Sequence, residues 1–114
     1  MGYDVHITKI KPWFRSMSSP ITEIEWRTIV SHDTNIHFVN ELEKSFDSSK
    51  LHYYNNGIAV LSYTEDEGKT TQTYLDFRDG RIVVKYPDAK VIQKMKQIAL
   101  LLNAYVIGDE GEEY

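Results

Sequence analysis

The stretch Tyr74-Leu75-Asp76-Phe77-Arg78-Asp79-Gly80-Arg81-Ile82-Val83-Val84-Lys85-Tyr86 decides the fold. Two runs rich in β-branched and aromatic residues meet at Asp79-Gly80. A two-residue hairpin loop needs positive φ at both central positions, and Asp-Gly accepts it readily. The pattern predicts antiparallel strands over 70–78 and 81–86. Upstream, similar runs at 51–54 and 57–64 are bounded by Asn55-Asn56-Gly57 and by Glu65 to Gly68, so the hairpin extends into a meander. Downstream, Pro87-Asp88 opens a helix whose Val91, Ile92, Met95, Ile98, Ala99 and Leu102 recur along one stripe, with Lys90, Lys94 and Lys96 outside it. Asn103 stops that helix, and Ala104 to Ile107 reads as a last short strand.

The N-terminal third is read in the same way. Tyr3, Val5 and Ile7 alternate with Asp4, His6 and Thr8, which predicts a strand over 2–9 with one buried face. Pro12 to Ser19 is a connector carrying Trp13 and Phe14. Thr22 and Glu25 have the spacing of a capping box, each side chain satisfying the other's free backbone N–H, so a short helix should run over 23–32 with Trp26, Ile29 and Val30 on one face. Residues 33–50 carry little pattern beyond a short strand at Ile36 to Val39 and a turn at Asp47-Ser48-Ser49. The expected fold class is α+β, a mostly antiparallel sheet with two helices packed on one face.

Composition narrows the function. The chain has 114 residues, enough for one core and too few for two, and 41% of them are apolar. It lacks cysteine, which excludes a disulfide framework, a thiolate nucleophile and a Cys-ligated metal centre. The N-terminus shows neither a basic leader nor an apolar core, and the longest aliphatic run, Ile98 to Leu102, is too short to span a bilayer. A cytoplasmic protein without membrane attachment is expected. The net charge of -4 is essentially Asp109, Glu110, Glu112 and Glu113 at the C-terminus. We therefore divide the chain into a domain over 1–107 and an acidic tail over 108–114, the tail being either a solvated, frayed end or a lure for a basic partner. Direct nucleic-acid binding is disfavoured, since it depends on a positive footprint.

No catalytic pattern stands out. His32 and His37 are five residues apart and span a helix end, unlike a helical zinc pair, so no metal site is expected, and no other cofactor. There is no Gly-flanked serine elbow and no Gly-rich phosphate loop. Asp76 and Asp79 read as structural, Asp79 being required at the turn. Asp4, His6 and Thr8 share a strand face that is either a pocket lining or the wet face of an edge strand.

The segments MGYDVHITKIKPWF, PITEIEW and YLDFRDGRIVVKYPDAKVIQKMKQIALLLNAYVIGDEGEEY, about two thirds of the chain, resemble a family of small bacterial proteins. Members share the MGYD-HIT start, a Trp in the first helix, a VKYPD-like step and a GDEGE-like finish. Proteins of this appearance look like cytoplasmic immunity proteins of polymorphic toxin or contact-dependent inhibition systems. The resemblance implies a binding protein that is not an enzyme and whose partner is a cognate toxin domain, for instance a basic nuclease. An acidic and aromatic surface suits such a task. The candidate residues are Glu65, Asp66 and Glu67 with Tyr63 and Tyr74 as anchors, and Asp109, Glu110 and Glu112 as a second patch. Two competing readings are a small enzyme or ligand-binding domain using the Asp4, His6 and Thr8 face, and a structural homo-oligomer paired through edge strands.

Overall fold

Asp79 and Gly80 both take positive φ, 50° and 74°, so the hairpin closes through the tight loop that its residues favour. It joins β4 (Thr70–Arg78) to β5 (Arg81–Lys85), with Phe77 opposite Ile82. Gly80 is required for a second reason, since a Cβ there would stand 2.6 Å from Pro20 Cβ. The computed structural model describes residues 3–39, 57–65 and 67–114. The expected turn at Asp47-Ser48-Ser49, the strand over 51–54 and the turn residues Asn55-Asn56 lie outside the described residues.

The remaining strands among the described residues are β1 (Asp4–Thr8), β2 (Ile36–Phe38), β3 (Ile58–Thr64) and β6 (Tyr105–Gly108). They form one antiparallel sheet in the order β2-β3-β4-β5-β1-β6. The meander over β2 to β5 is the part built from chain neighbours, whereas β1 is inserted between β5 and β6. Period-two alternation assigns the faces. Val5, Ile7, Ile36, Phe38, Ala59, Leu61, Leu75, Ile82, Val84 and Val106 belong to one core cluster on the first face.

Two α-helices among the described residues cover that face. The first, α1 (Glu23–Ser31), begins with the expected capping box and buries Trp26 and Val30. Trp26 also donates its indole N–H to the Gly57 carbonyl at 2.8 Å, which satisfies the polar atom of a fully buried ring. The second, α2 (Ala89–Leu102), is capped by Asp88, whose side chain accepts from the Val91 amide, and ends at Asn103 in the left-handed conformation. Its buried stripe is Val91, Met95, Ile98, Ala99 and Leu102, while Ile92 is only half-buried. The α+β architecture with both helices on one face is as the sequence predicts.

Two features differ from expectation. The connector folds into a 3-10 helix over Trp13–Ser18 and packs against β1 and β5, placing Trp13 on the second face of the sheet over His6. The acidic run also folds. Glu113 bridges Ile107, Tyr114 N–H donates to the Val106 carbonyl at 3.0 Å, and Gly111 N–H donates to the Gly108 carbonyl at 2.9 Å. Backbone pairing with β6 therefore replaces the frayed end considered above.

Candidate functional site

The second face of the sheet holds a polar cluster centred on His6. His6 was read with Asp4 and Thr8 as pocket lining or as the wet face of an edge strand. The structure corrects the edge-strand reading, since β1 lies inside the sheet, and it takes His6, 2% exposed, and the fully buried Thr8 out of any pocket lining, leaving Asp4 half-buried. Trp13 stacks flat on the imidazole, with ring centroids 4.1 Å apart and planes 4° from parallel. Arg81 lies over the other ring, 5.1 Å from the Trp13 centroid. Arg81 Nε donates to His6 Nδ1 at 3.3 Å and Nη1 donates to Ser16 Oγ at 3.2 Å.

The acidic segment closes the cluster. Asp109 Oδ1 lies 2.8 Å from His6 Nε2, Oδ2 accepts from the Asp4 amide at 2.8 Å, and its carbonyl accepts from the Trp13 indole at 3.2 Å. Because Nδ1 accepts from Arg81, Nε2 carries the proton and donates to Asp109. Burial pulls the His6 pKa below its ordinary 6.5, with the bond to Asp109 opposing it. In Asp109, burial alone would raise the pKa, but the Asp4 amide and His6 outweigh it and leave the carboxyl below its usual value. The cluster is internally satisfied: it pins the connector and the C-terminal segment to the sheet.

Asp109, expected as part of a partner-binding patch, is thus committed to an internal latch. Its neighbours are not. Glu110 and Glu112 are exposed on the hairpin that Asp109 anchors, with Glu112 Oε1 accepting from the Glu110 amide and Oε2 from Tyr114 Oη. Glu113 pairs with Lys11 at 3.2 Å. Beside this acidic edge lies a shallow depression lined by Ala99, Leu100, Ala104, Tyr105, Val106 and Tyr114 with Lys96 and Glu113 at its charged margin, and Lys11 Nζ lies 5.3 Å over the Tyr105 ring. Leu100 is 82% exposed, Tyr105 41% and Tyr114 42%. These three escaped the sequence reading, the one available signal being that Leu100 falls off the buried stripe of α2.

The other expected patch is not assembled. Tyr63 and Tyr74 lie on opposite faces of the sheet, since Tyr63 shares its face with Leu61 whereas Tyr74 pairs with Val60. Tyr63 donates to Asp88 Oδ2 at 2.9 Å, tying β3 to the cap of α2, and burial with that bond raises its pKa to about 12. Glu65 accepts from Thr71 Oγ1 and closes its own turn through backbone bonds to Lys69 and Gly68. Glu67 is exposed, Tyr74 is 64% exposed, and Asp66 lies outside the described residues. Among the described residues of this patch, Tyr63 and Glu65 are half-buried and tied by internal bonds, whereas Tyr74 and Glu67 are exposed.

Among the described residues, no three His, Asp or Glu side chains converge as a metal site would require. His32 Nδ1 lies 2.9 Å from the Thr28 carbonyl at the end of α1, and His37 is exposed on β2. No helix among the described residues is long and apolar enough to cross a membrane. No family model, curated protein or solved structure matches the chain.

Proposed function

We propose that this protein is a bacterial immunity protein, which binds and neutralises a cognate toxin domain in the cytoplasm through a surface rather than through chemistry of its own. The observation that carries the reading is the mounting of the acidic segment. Its hairpin is fixed by Asp109 and by pairing to β6, and it displays Glu110 and Glu112 beside exposed Leu100, Tyr105 and Tyr114. An aromatic and aliphatic centre with a charged rim is the anatomy of a protein interface. Holding it in place before the encounter reduces the entropy lost on binding. The carboxylates suit a basic partner, whose approach they would accelerate. The resemblance of the MGYD-HIT start and the GDEGE-like finish supports the same reading, because those two motifs meet at the latch.

The test is co-expression with the toxin domain encoded beside this gene, followed by binding kinetics. The native protein should protect cells and form a complex at micromolar concentration. Replacing Glu110 and Glu112 by lysine should slow association and remove much of its salt dependence, whereas Leu100→Asp or Tyr105→Ala should mainly speed dissociation. Equal killing with and without the protein, together with no complex in a pull-down, overturns the reading.

A further inference from the structure

The second face also carries a hollow of about 690 Å³, separate from the acidic hairpin. Its apolar lining includes Ile58 and Val83, which flank Asp76 in one row across β3, β4 and β5. In the adjoining row Asp4 and Lys85 stand directly opposite each other on β1 and β5. Cross-strand partners on one face have Cβ atoms roughly 5 Å apart, close enough for an ion pair. None forms among the described residues. Lys85 is exposed, and Asp4 Oδ1 is sealed from solvent without a hydrogen-bond donor. The other two charges of the lining, Asp76 and Arg78, pair at 2.5 Å.

The hollow thus holds two carboxylates and two cations, which cancel, and leaves one acid and one base unmatched side by side over an apolar surface. A simple amine would meet Lys85 and Arg78, and a simple carboxylate would meet Asp4. A net-neutral ligand with both charges on one small head suits the arrangement better, and the volume falls in the range of small-molecule sites. We propose that the hollow binds an apolar α-amino acid as its zwitterion. The ammonium meets the Asp4 carboxylate at Oδ2, the oxygen that is not sealed from solvent, and the ligand's carboxylate meets Lys85, both ligand charges standing on one carbon opposite the facing pair. The side chain lies on Ile58 and Val83, beside the exposed ring of Tyr74. This corrects the strand-face reading of the sequence, since His6 and Thr8 are buried and Asp4 is the member of that trio that lines the hollow.

The proposal needs no toxin and stands apart from the immunity reading. The ¹⁵N-labelled protein is titrated with L-leucine, L-methionine and L-phenylalanine, with N-acetyl-L-leucine and L-leucine methyl ester as probes lacking one charge. At least one free amino acid should give saturable shifts at the amides of Asp4, Val83 and Lys85. Blocking either charge of the ligand, or introducing Asp4→Asn or Lys85→Met, should weaken binding about tenfold or more. Both variants should melt with the parent protein, since neither side chain forms a hydrogen bond or ion pair among the described residues. Absence of saturable shifts up to about 10 mM for all three amino acids, well beyond the millimolar range of weak binding, overturns the proposal. So does equal binding of the blocked analogues, or shifts confined to another part of the chain.

Discussion

His6 carries the chemistry that holds the second face together, and its protonation state has a measurable consequence. With Arg81 donating to Nδ1 and Asp109 accepting from Nε2, the buried ring is the neutral tautomer. Burial lowers its folded pKa below 6.5, more than the bond to Asp109 raises it. The unfolded chain therefore takes up a proton first on acidification. The contribution is fully present well above pH 6.5 and is lost as pH falls through 6.5 towards the folded value. Asp109 acts in a lower window: its folded pKa lies below the ordinary 3.8, so its contribution is present above 3.8 and lost as pH falls further. The imidazole resonances of His6 in the folded protein should titrate below 6.5, with melting temperature falling through the same range. A midpoint above 6.5 would mean that the carboxylate, not burial, governs the ring.

At the scale of elements, the strongest commitments are the hairpin and α2. Met95 is fully buried at the centre of the helix stripe. Truncating it leaves a cavity against the sheet, so Met95→Ala should cost about 2–5 kcal/mol in denaturant melts. A loss below about 0.5 kcal/mol would show that α2 is not seated as described. These elements were legible because their signals are local: Asp79-Gly80 dictates its own φ angles, and the stripe of α2 repeats within a few turns. The position of β1 was not legible. Alternation assigns Val5 and Ile7 to a buried face, but it does not say that β5 and β6 flank the strand, and so it does not reveal that His6 is buried on the opposite face. Trp13 was visible as an aromatic in a connector, yet its target is Asp109, 96 residues away in sequence. The acidic run was visible as charge, and pairing to β6 turned it from an end into an element. Tyr63 and Tyr74 misled because proximity in a meander does not fix a shared face, and a one-residue change of parity moves a side chain through the sheet.

On the scale of the whole molecule, the two ends of the described chain converge on one latch, which gives the acidic segment a structural role as well as the proposed binding role. The two are separable. Removing residues 109–114 takes away the partner of His6, the acceptor for the Trp13 indole and the pairing along β6. Each buried polar group left without a partner costs about 1–3 kcal/mol, so that truncation should destabilise the protein by about 2–4 kcal/mol and expose the Trp13 ring to quenchers. Charge reversal of Glu110 and Glu112 touches neither His6 nor Trp13. It removes only the exposed bonds that Glu112 accepts from the Glu110 amide and Tyr114 Oη, so its effect on melting should stay at about 1 kcal/mol, below that of the truncation, while association with a basic toxin domain slows. A truncated chain that melts with the native one would remove the latch from the account. A reversed chain that binds at the native rate in low salt would instead move the partner to another surface, with the exposed Tyr74 and Glu67 the next to be tested.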